Sequence, residues 1–280
     1  MDFVKMHGLG NDFVLLDCLA EPPARTDAEW AALAVKLCDR HFGIGADGIL
    51  LALPSECADV RMRIFNNDGS EAEMCGNGVR CLARYVRDRG QYGERLRVET
   101  LAGVLELTFP GGPDEVRVDM GPPRFAPREI PVRADGERAL DLALRVDGRT
   151  LQVAAVSMGN PHAVTFMSAA ELEALPLHEV GPLVEHHELF PERTNFHAVA
   201  VTSPHSATVR VWERGAGPTL ACGTGACAVT VAGVLSGRLE SPVDVTLPGG
   251  TLRIEWEPGG SVFMTGPAAY AFRGTWLGES

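Results

Sequence analysis

The feature that most constrains the fold is an internal duplication centred on two cysteine–glycine motifs. Cys75-Gly76-Asn77-Gly78 in the first half of the chain is matched by Cys222-Gly223-Thr224-Gly225 in the second. Upstream of each motif, at the same spacing, Arg63-Ile64-Phe65 is matched by Arg210-Val211-Trp212. A chain of 280 residues can hold two domains of ordinary size. We therefore expect two copies of one unit, each able to bury its own core.

Each motif brings a cysteine to the start of a helix. Helical spacing of apolar residues follows Cys75, and an apolar run that ends near Leu235 follows Cys222. The first N–H groups of a helix have no internal partner, and the helix dipole makes that end electropositive. We therefore expect both thiols to ionise more easily than a free thiol. The second helix is apolar almost all round, so strands should enclose it, and each half should be α+β.

Local signals predict where other elements begin and where the halves divide. Thr26 with Glu29, and Ser168 with Glu171, have the spacing of capping boxes and predict two helix starts. Gly121 to Pro131 is rich in proline and lacks periodicity, which indicates a domain boundary. We place this boundary between residues 119 and 120.

Composition excludes several classes of partner. The formal net charge of −12 disfavours binding to nucleic acid or to an anionic membrane surface. No apolar run approaches the length of a membrane span, and the first residues lack a secretion-signal pattern. Seven cysteines, an odd number, argue against a disulfide framework. A cytoplasmic protein is expected.

Cofactor motifs are either absent or in the wrong context. Gly43 to Gly48 spells GxGxxG, but it follows a predicted helix and precedes a strand, the reverse of a dinucleotide site. Gly223 to Ala228 fits the looser pattern without a strand leading directly into it. Lysine occurs only at positions 5 and 36, outside any phosphate loop, which disfavours pyridoxal phosphate. The cysteines lack CxxC spacing. We expect neither a cofactor nor a metal ion.

Two cysteines in duplicated positions could act as the two acid/base groups that invert the configuration of a carbon atom. We expect Cys75 and Cys222 to face each other across an interdomain cleft. One thiolate would remove a proton from one face of a carbon, and the other thiol would return a proton to the opposite face. Helix-mouth N–H groups would hold the substrate carboxylate and stabilise the carbanion. The alternative from another class is a thiol-based redox or ligand-binding protein without epimerase turnover.

The chain resembles the diaminopimelate epimerases, and the likeness covers nearly the whole sequence. Each stretch is weak alone, but together and in order they are highly specific. They are His7 to Phe13, Phe65 to Glu71, Cys75 to Gly78, Gly159 to His162, Arg193 to Asn195, Glu213 to Gly217 and Cys222 to Gly225.

The resemblance implies a function and a role for each site residue. Cys75 and Cys222 would exchange the proton of diaminopimelate without a cofactor. Gly76, Asn77, Gly223 and Thr224 would bind the reacting carboxylate through backbone amides. Asn11 and Glu213 would hold the rest of the reacting end. The distal end would be held by Asn66, Asn160, Asn195 and Arg214. His162 would support the site; the alternative is that it only stabilises the turn after Pro161.

The resemblance also implies a fold and an assembly. It implies two pseudo-symmetric α+β domains, each a mixed β-sheet curled into a barrel or roll around a central helix. The first would span residues 1–119 with 266–280 returning to it, and the second 120–265. A homodimer is expected, although Tyr270 to Arg273 does not clearly match the dimer contacts of some relatives. Gly48 stands where some relatives carry a side-chain amide. Another amino-acid racemase or isomerase of this fold is the nearest alternative; for proline racemases, the distal asparagines and Arg214 argue instead for a substrate with two polar ends.

Overall fold

The fold of residues 1–21, 23–90, 92–112 and 114–278 is given by a computed structural model. The chain divides into two units. The first consists of Met1–Val118 together with the segment that begins at Gly266, and the second is Asp119–Thr265.

The first unit builds one sheet with two helices. Its described strands are β1 (Asp2–Gly8), β2 (Asn11–Asp17), β3 (Gly48–Leu53), β4 (Val60–Asn66), β5 (Glu71–Ala72), β6 (Arg95–Thr100), β7 (Gly103–Thr108), β8 (Glu115–Asp119) and β18 (Ala269–Thr275). Its helices are α1 (Asp27–Cys38) and α2 (Gly76–Asp88). Strand β18 pairs with β1 in antiparallel fashion and extends this sheet.

The second unit builds a similar sheet. Its described strands are β9 (Leu142–Val146), β10 (Arg149–Ser157), β11 (Pro161–Met167), β12 (Asn195–Ser203), β13 (Ser206–Glu213), β14 (Gly217–Pro218), β15 (Val243–Leu247), β16 (Gly250–Trp256) and β17 (Val262–Pro267). Its helices are α3 (Ala169–Ala174), α4 (Leu177–Glu185) and α5 (Gly223–Leu235).

The two sheets repeat the same pairing pattern. In the first unit β1–β2 is antiparallel, β2–β3 parallel, β3–β4 antiparallel, β4–β6 parallel and β6–β7 antiparallel. In the second unit the same series runs through β10, β11, β12, β13, β15 and β16. Parallel neighbours require a crossover, and α1, α2, α3, α4 and α5 lie in these connections. The predicted α+β class with mixed sheets is confirmed, but among the described pairings neither sheet closes into a barrel.

The turns that open the repeats are also alike. Gly10 between β1 and β2 has φ 87°, and Gly159 between β10 and β11 has φ 96°. Both values lie in the left-handed region, which only glycine adopts at low cost. Each glycine directly precedes an asparagine, Asn11 or Asn160, so the same backbone device presents both side chains.

Helix α5 is enclosed, as its composition predicts. It lies against β10, β11, β12, β15 and β16, and Ala226 to Ala232 are all buried. Gly233 allows close packing, because a Cβ there would lie 2.4 Å from Cδ1 of Leu239. A helix without a polar face cannot rest on the surface, so the sheet must surround it.

The two predicted capping boxes are present. Thr26 and Glu29 cap α1 reciprocally, and Ser168 and Glu171 do the same for α3. Such caps stabilise a helix by about 1 kcal/mol each. None of the described helices combines the length and the hydropathy that a membrane span requires.

Candidate active site

Cys75 occupies the N-cap of α2, and its backbone is extended with φ −140° and ψ 119°. The Sγ atom accepts a hydrogen bond from the N–H of Gly78 at 3.5 Å. Gly78 allows the helix to approach the sheet, because a Cβ there would lie 3.0 Å from Cδ2 of Leu50. The thiol is therefore fixed at the electropositive end of the helix.

Asn11 and Asn77 lie beside the Cys75 thiol. Oδ1 of Asn11 accepts from Nδ2 of Asn77 at 3.1 Å and lies 3.7 Å from the Cys75 Sγ, which donates to it. Nδ2 of Asn11 donates to Oδ2 of Asp47 at 2.7 Å. Because Asp47 is an acceptor, it fixes the orientation of the Asn11 amide. The first unit thus brings together Cys75, Gly76, Asn77 and Asn11.

A charged network supports Asp47 and its neighbour Asp12. Arg40 bridges the two carboxylates, with Nη2 at 2.7 Å from Asp12 Oδ1 and 2.8 Å from Asp47 Oδ1. Buried Lys5 pairs with Asp12 on the other side. Burial by itself would raise the pKa of Asp12, but the hydrogen bonds and charges of Arg40 and Lys5 outweigh burial and lower it to about 2. The Asp12 carboxylate therefore remains an acceptor at neutral pH.

Arg80 holds the first turn of α2 from inside. Its side chain is fully buried and donates to the carbonyl of Gly76 at 3.1 Å and to Oδ1 of Asn77 at 2.8 Å. Nε also donates to the carbonyl of Pro267 at 3.2 Å. Because Arg80 occupies Oδ1 of Asn77, the Asn77 amide nitrogen is directed to Asn11.

Asn66 lies at the end of β4, opposite Gly48 in the register of β3 and β4. Its Nδ2 donates to Oγ of Ser70 at 2.9 Å, within the turn that follows. A Cβ at Gly48 would lie 2.7 Å from the carbonyl oxygen of Phe65, so the local geometry requires glycine there. Any contact with a ligand at position 48 must use the backbone.

Cys222 is the N-cap of α5, and only 4% of it is exposed. Its Sγ lies 3.7 Å from Oγ1 of Thr224. Burial raises the pKa of the Cys222 thiol well above its usual range, and the nearby Glu213 carboxylate raises it further. Hydrogen bonds from the Thr224 hydroxyl and the Gly225 N–H lower the pKa of Cys222, but by less than burial and Glu213 raise it. The expectation of an easily ionised thiol is therefore wrong for Cys222, because the loss of hydration outweighs the helix terminus.

Glu213 ends β13 and accepts a hydrogen bond from the Thr219 hydroxyl. We expect Glu213→Gln to lower the pKa of Cys222, because the amide removes a negative charge that disfavours the thiolate. Iodoacetamide reacts with the thiolate, so labelling of Cys222 should begin at a lower pH in the variant. Peptide mapping by mass spectrometry across a pH series measures this, with exposed Cys57 as internal control. An unchanged profile for Cys222 would contradict the assigned influence of Glu213.

Asn160 and His162 are joined within the second unit. Nε2 of His162 lies 2.9 Å from Oδ1 of Asn160, and Nδ1 of His162 lies 2.9 Å from Nε2 of His197. Both histidines are fully buried. Burial lowers the pKa of both rings, that of His197 to about 3. The two imidazoles are therefore neutral at physiological pH.

Asn195 and Arg214 form a second group. Asn195 donates from Nδ2 to the Pro161 carbonyl at 2.9 Å and accepts the Arg214 N–H on Oδ1 at 3.0 Å. The exposed Arg214 side chain donates to the Glu192 carbonyl at 3.0 Å. Buried Glu185 accepts the next backbone N–H, that of Gly215, at 2.9 Å. The backbone around Arg214 is thus held while its guanidinium faces solvent.

One group among the described residues has the chemistry to bind a metal. Ligand atoms of His162, His197 and Cys222 lie within 4.8 Å of one another. Imidazole nitrogen and thiolate sulfur are the usual ligands of zinc. In this structure both rings are already engaged with each other, and His162 also with Asn160.

The sequence matches the family model described as Diaminopimelate epimerase over residues 3–126 and 154–271. The chain belongs to the diaminopimelate epimerase family. The resemblance inferred from the motifs is thereby confirmed. A diaminopimelate epimerase of Desulfitobacterium hafniense is 52% identical over 284 positions, which cover 100% of this chain and 99% of the relative. One of Pelotomaculum thermopropionicum is 53% identical over 278 positions, covering 98% of each.

Solved structures with low sequence identity share the fold of this family member. A phenazine biosynthesis protein of the PhzF family from Bacillus anthracis has a TM-score of 0.72 at 18% identity, covering 99% of both chains. At this identity the likeness concerns the fold alone. This likeness agrees with the mixed, sheet-dominated architecture of this protein.

Four residues that support the candidate site were not predicted from the sequence. They are Asp47, Arg80, Glu185 and His197. Asp47, Glu185 and His197 are polar residues within or beside an apolar element, and this contrast is the signal that could have indicated them. Arg80 lies in an amphipathic helix that carries other arginines, so no such signal marks it. His197, for example, lies in a strand whose neighbours Phe196, Ala198 and Val199 are all apolar.

Proposed function

We propose that the protein interconverts LL- and meso-diaminopimelate, a step of lysine and peptidoglycan precursor synthesis, without a cofactor. The observation that carries this proposal is the pair of equivalent cysteines. In a chain of the diaminopimelate epimerase family, Cys75 and Cys222 both form the N-cap of a helix at the same point of the repeated topology. We also propose that the two units are the two epimerase-like domains, each supplying one cysteine.

The proposed chemistry is a two-base inversion. One cysteine, as thiolate, removes the α-proton and becomes a thiol, and the C–H electron pair stays on the carbon as a carbanion. The other cysteine, as thiol, donates its proton to the opposite face and becomes the thiolate. The raised pKa of Cys222 supports its role as the proton donor in the resting enzyme. To act as the base in that direction, Cys75 must first lose the proton that it donates to Asn11; the roles exchange in the reverse reaction.

Backbone amides at the helix mouths supply the electrostatic stabilisation. Gly76 and Asn77 of α2, and Gly223 and Thr224 of α5, have N–H groups in the first helical turn. Such groups bind carboxylates and offset charge that develops on them. Asn11 and Glu213 would hold the rest of the reacting end. Glu213 would pair with the substrate ammonium, and this pairing would offset the negative charge that raises the pKa of Cys222.

The distal amino-acid end would be bound by amides and a guanidinium. We assign Asn66, Asn160, Asn195 and Arg214 to it. Amides can donate to a carboxylate and accept from an ammonium, and arginine pairs with carboxylates in bidentate geometry. His162 contacts Asn160 directly, which supports its role in the site.

Solvent deuterium tests the proposed function. Incubation of the enzyme with LL-diaminopimelate in heavy water should yield meso product that carries deuterium at the inverted α-carbon, because the returned proton comes from an exchangeable thiol. Mass spectrometry measures the deuterium label, and chiral chromatography measures the meso product. Another amino-acid racemase would label a different amino acid, and a thiol redox protein would label none. Absence of label with diaminopimelate would overturn the proposal.

Arg214→Lys should raise KM for diaminopimelate by about tenfold with a smaller change in kcat. A lysine cannot make the bidentate contact, and the lost charge-assisted bond acts on binding rather than on the reacting carbon. Steady-state kinetics measure this. Arg253→Lys, which changes an exposed arginine paired with half-exposed Asp244 in the same unit, is the matched control and should leave both constants unchanged. An unchanged KM in the Arg214 variant would remove Arg214 from the distal site.

Assembly and location are part of the proposal. We propose a homodimer in the cytoplasm, supported by the family resemblance and by seven free cysteines among the described residues, a state typical of reducing compartments. Light scattering of the purified protein tests the assembly, and a monomeric mass would refute the dimer.

A further inference from the structure

Three side chains form a single row behind the proposed distal site. His197, on β12, contacts His162, on β11, and His162 contacts Asn160 at the turn before β11. The contacts are both 2.9 Å long. Each neutral imidazole has one N–H donor and one acceptor nitrogen, so the row can be connected in only two directions.

The two directions differ in the group that they leave unpaired. If Asn160 presents Oδ1, His162 must carry its proton on Nε2, and His197 must then donate from Nε2 to Nδ1 of His162. Nδ1 of His197, which is buried and has no hydrogen-bond partner, is then an acceptor. In the reverse direction Nδ1 of His197 would carry a buried N–H without an acceptor. Orphaned buried N–H groups are rarer in proteins than acceptors that lack a partner.

The His197 ring is held in place by α5. A Cβ at Gly225 would lie 2.2 Å from Cε1 of His197, so the imidazole rests directly on the first turn of the helix that begins after Cys222. The ring has no room to turn away from His162 toward the helix. His197 therefore combines a fixed position with a fixed donor.

We propose that His197 is a positioning residue that holds His162 in its Nε2–H tautomer and thereby fixes the amide orientation of Asn160. With Oδ1 of Asn160 occupied by His162, its NH₂ group is the face presented to a ligand. That face suits a carboxylate, and its assignment to the distal carboxylate of diaminopimelate rests on the proposed function. Without the His197 donor, the Nδ1–H tautomer of His162 becomes accessible, and the Asn160 side-chain amide can rotate by about 180° so that Oδ1 and Nδ2 exchange places.

A matched pair of variants isolates the donor. His197→Gln retains an N–H close to the place of Nε2, whereas His197→Met has a similar shape without a donor. Nitrogen-15 NMR of histidine-labelled protein distinguishes protonated from unprotonated ring nitrogens, and His162→Gln assigns the His162 signals. We expect His162 to be protonated on Nε2 in the parent and in His197→Gln, and to populate the Nδ1–H form in His197→Met. Protonation of Nδ1 in the parent, or no change in the Met variant, would overturn the proposal.

Kinetics give a second readout. His197→Met should raise KM for diaminopimelate by about three- to tenfold, the effect of one hydrogen bond, with little change in kcat. His197→Gln should restore KM to within about twofold of the parent. Equal KM values in the two variants would refute the positioning role.

Folding and the proposed function are controlled separately. Thermal unfolding is compared first, and if the Met variant is unfolded, His197→Asn replaces it, because its shorter amide does not reach the place of Nε2. A parent protein without epimerase turnover would refute the proposed function, and the NMR comparison would still decide the role of His197.

Discussion

Cys75→Ala and Cys222→Ala are each expected to lower kcat for epimerisation by about 10²- to 10⁴-fold, the usual contribution of one acid or base. Inversion needs proton removal on one face and proton return on the other, so neither cysteine can replace its counterpart. Chiral chromatography of the products measures the rate. The two cysteines act as a unit, so the loss of either one already prevents the two-base reaction. The double variant should therefore be little slower than either single variant.

Two other cysteines provide matched controls for these variants. Cys81 and Cys227 are fully buried inside α2 and α5, beyond the helix mouths. Cys81→Ala and Cys227→Ala remove the same atoms and should leave kcat within about twofold of the parent, with only the modest stability loss of a small core truncation. Near-normal epimerisation in either Cys75→Ala or Cys222→Ala would contradict the two-base proposal.

The features that the sequence predicted correctly are local in the chain. The α+β class followed from a repeated Cys-Gly-x-Gly motif and an apolar helix, and the capping boxes at Thr26 and Ser168 depend on residues three positions apart. The GxGxxG of Gly43 to Gly48 is similarly local. It lies between the end of α1 and the start of β3, and Gly43 is required because a Cβ would lie 2.3 Å from the carbonyl of Lys36. These glycines turn the chain after a helix, which explains why they mimic a nucleotide motif.

The features that were missed depend on residues distant in the chain. His197 acquires a partner only when parallel pairing brings β12 beside β11. Asp47 is 36 positions away from Asn11, which it orients. The pKa of Cys222 depends on burial and on Glu213, and neither is visible at the helix mouth itself. A motif therefore indicates which group is the candidate for reaction, whereas the folded environment determines the protonation state of that group.

Glu185 is a residue that the sequence did not predict and that has a large expected effect on stability. Its buried carboxylate accepts from the Trp212 indole at 2.7 Å and from the Gly215 N–H at 2.9 Å, and its nearest cation is half-exposed Arg193 at 3.3 Å. Gly181, on the same helix, packs directly on the Trp212 ring. Glu185 thus ties α4 to the end of β13, where Glu213 and Arg214 lie.

Glu185→Leu should lower the free energy of unfolding by about 2–4 kcal/mol, because it leaves the Trp212 and Gly215 donors without an acceptor. Glu185→Gln keeps one acceptor oxygen and should cost about half as much. Urea denaturation followed by tryptophan fluorescence measures both. Exposed Glu188 lies three residues further along, and Glu188→Leu, the same chemical change at the surface, should stay within about 0.5 kcal/mol of the parent. Because the Arg214 backbone loses its support, KM should also rise in Glu185→Leu; equal stability of the two leucine variants would show that Glu185 does not hold this loop.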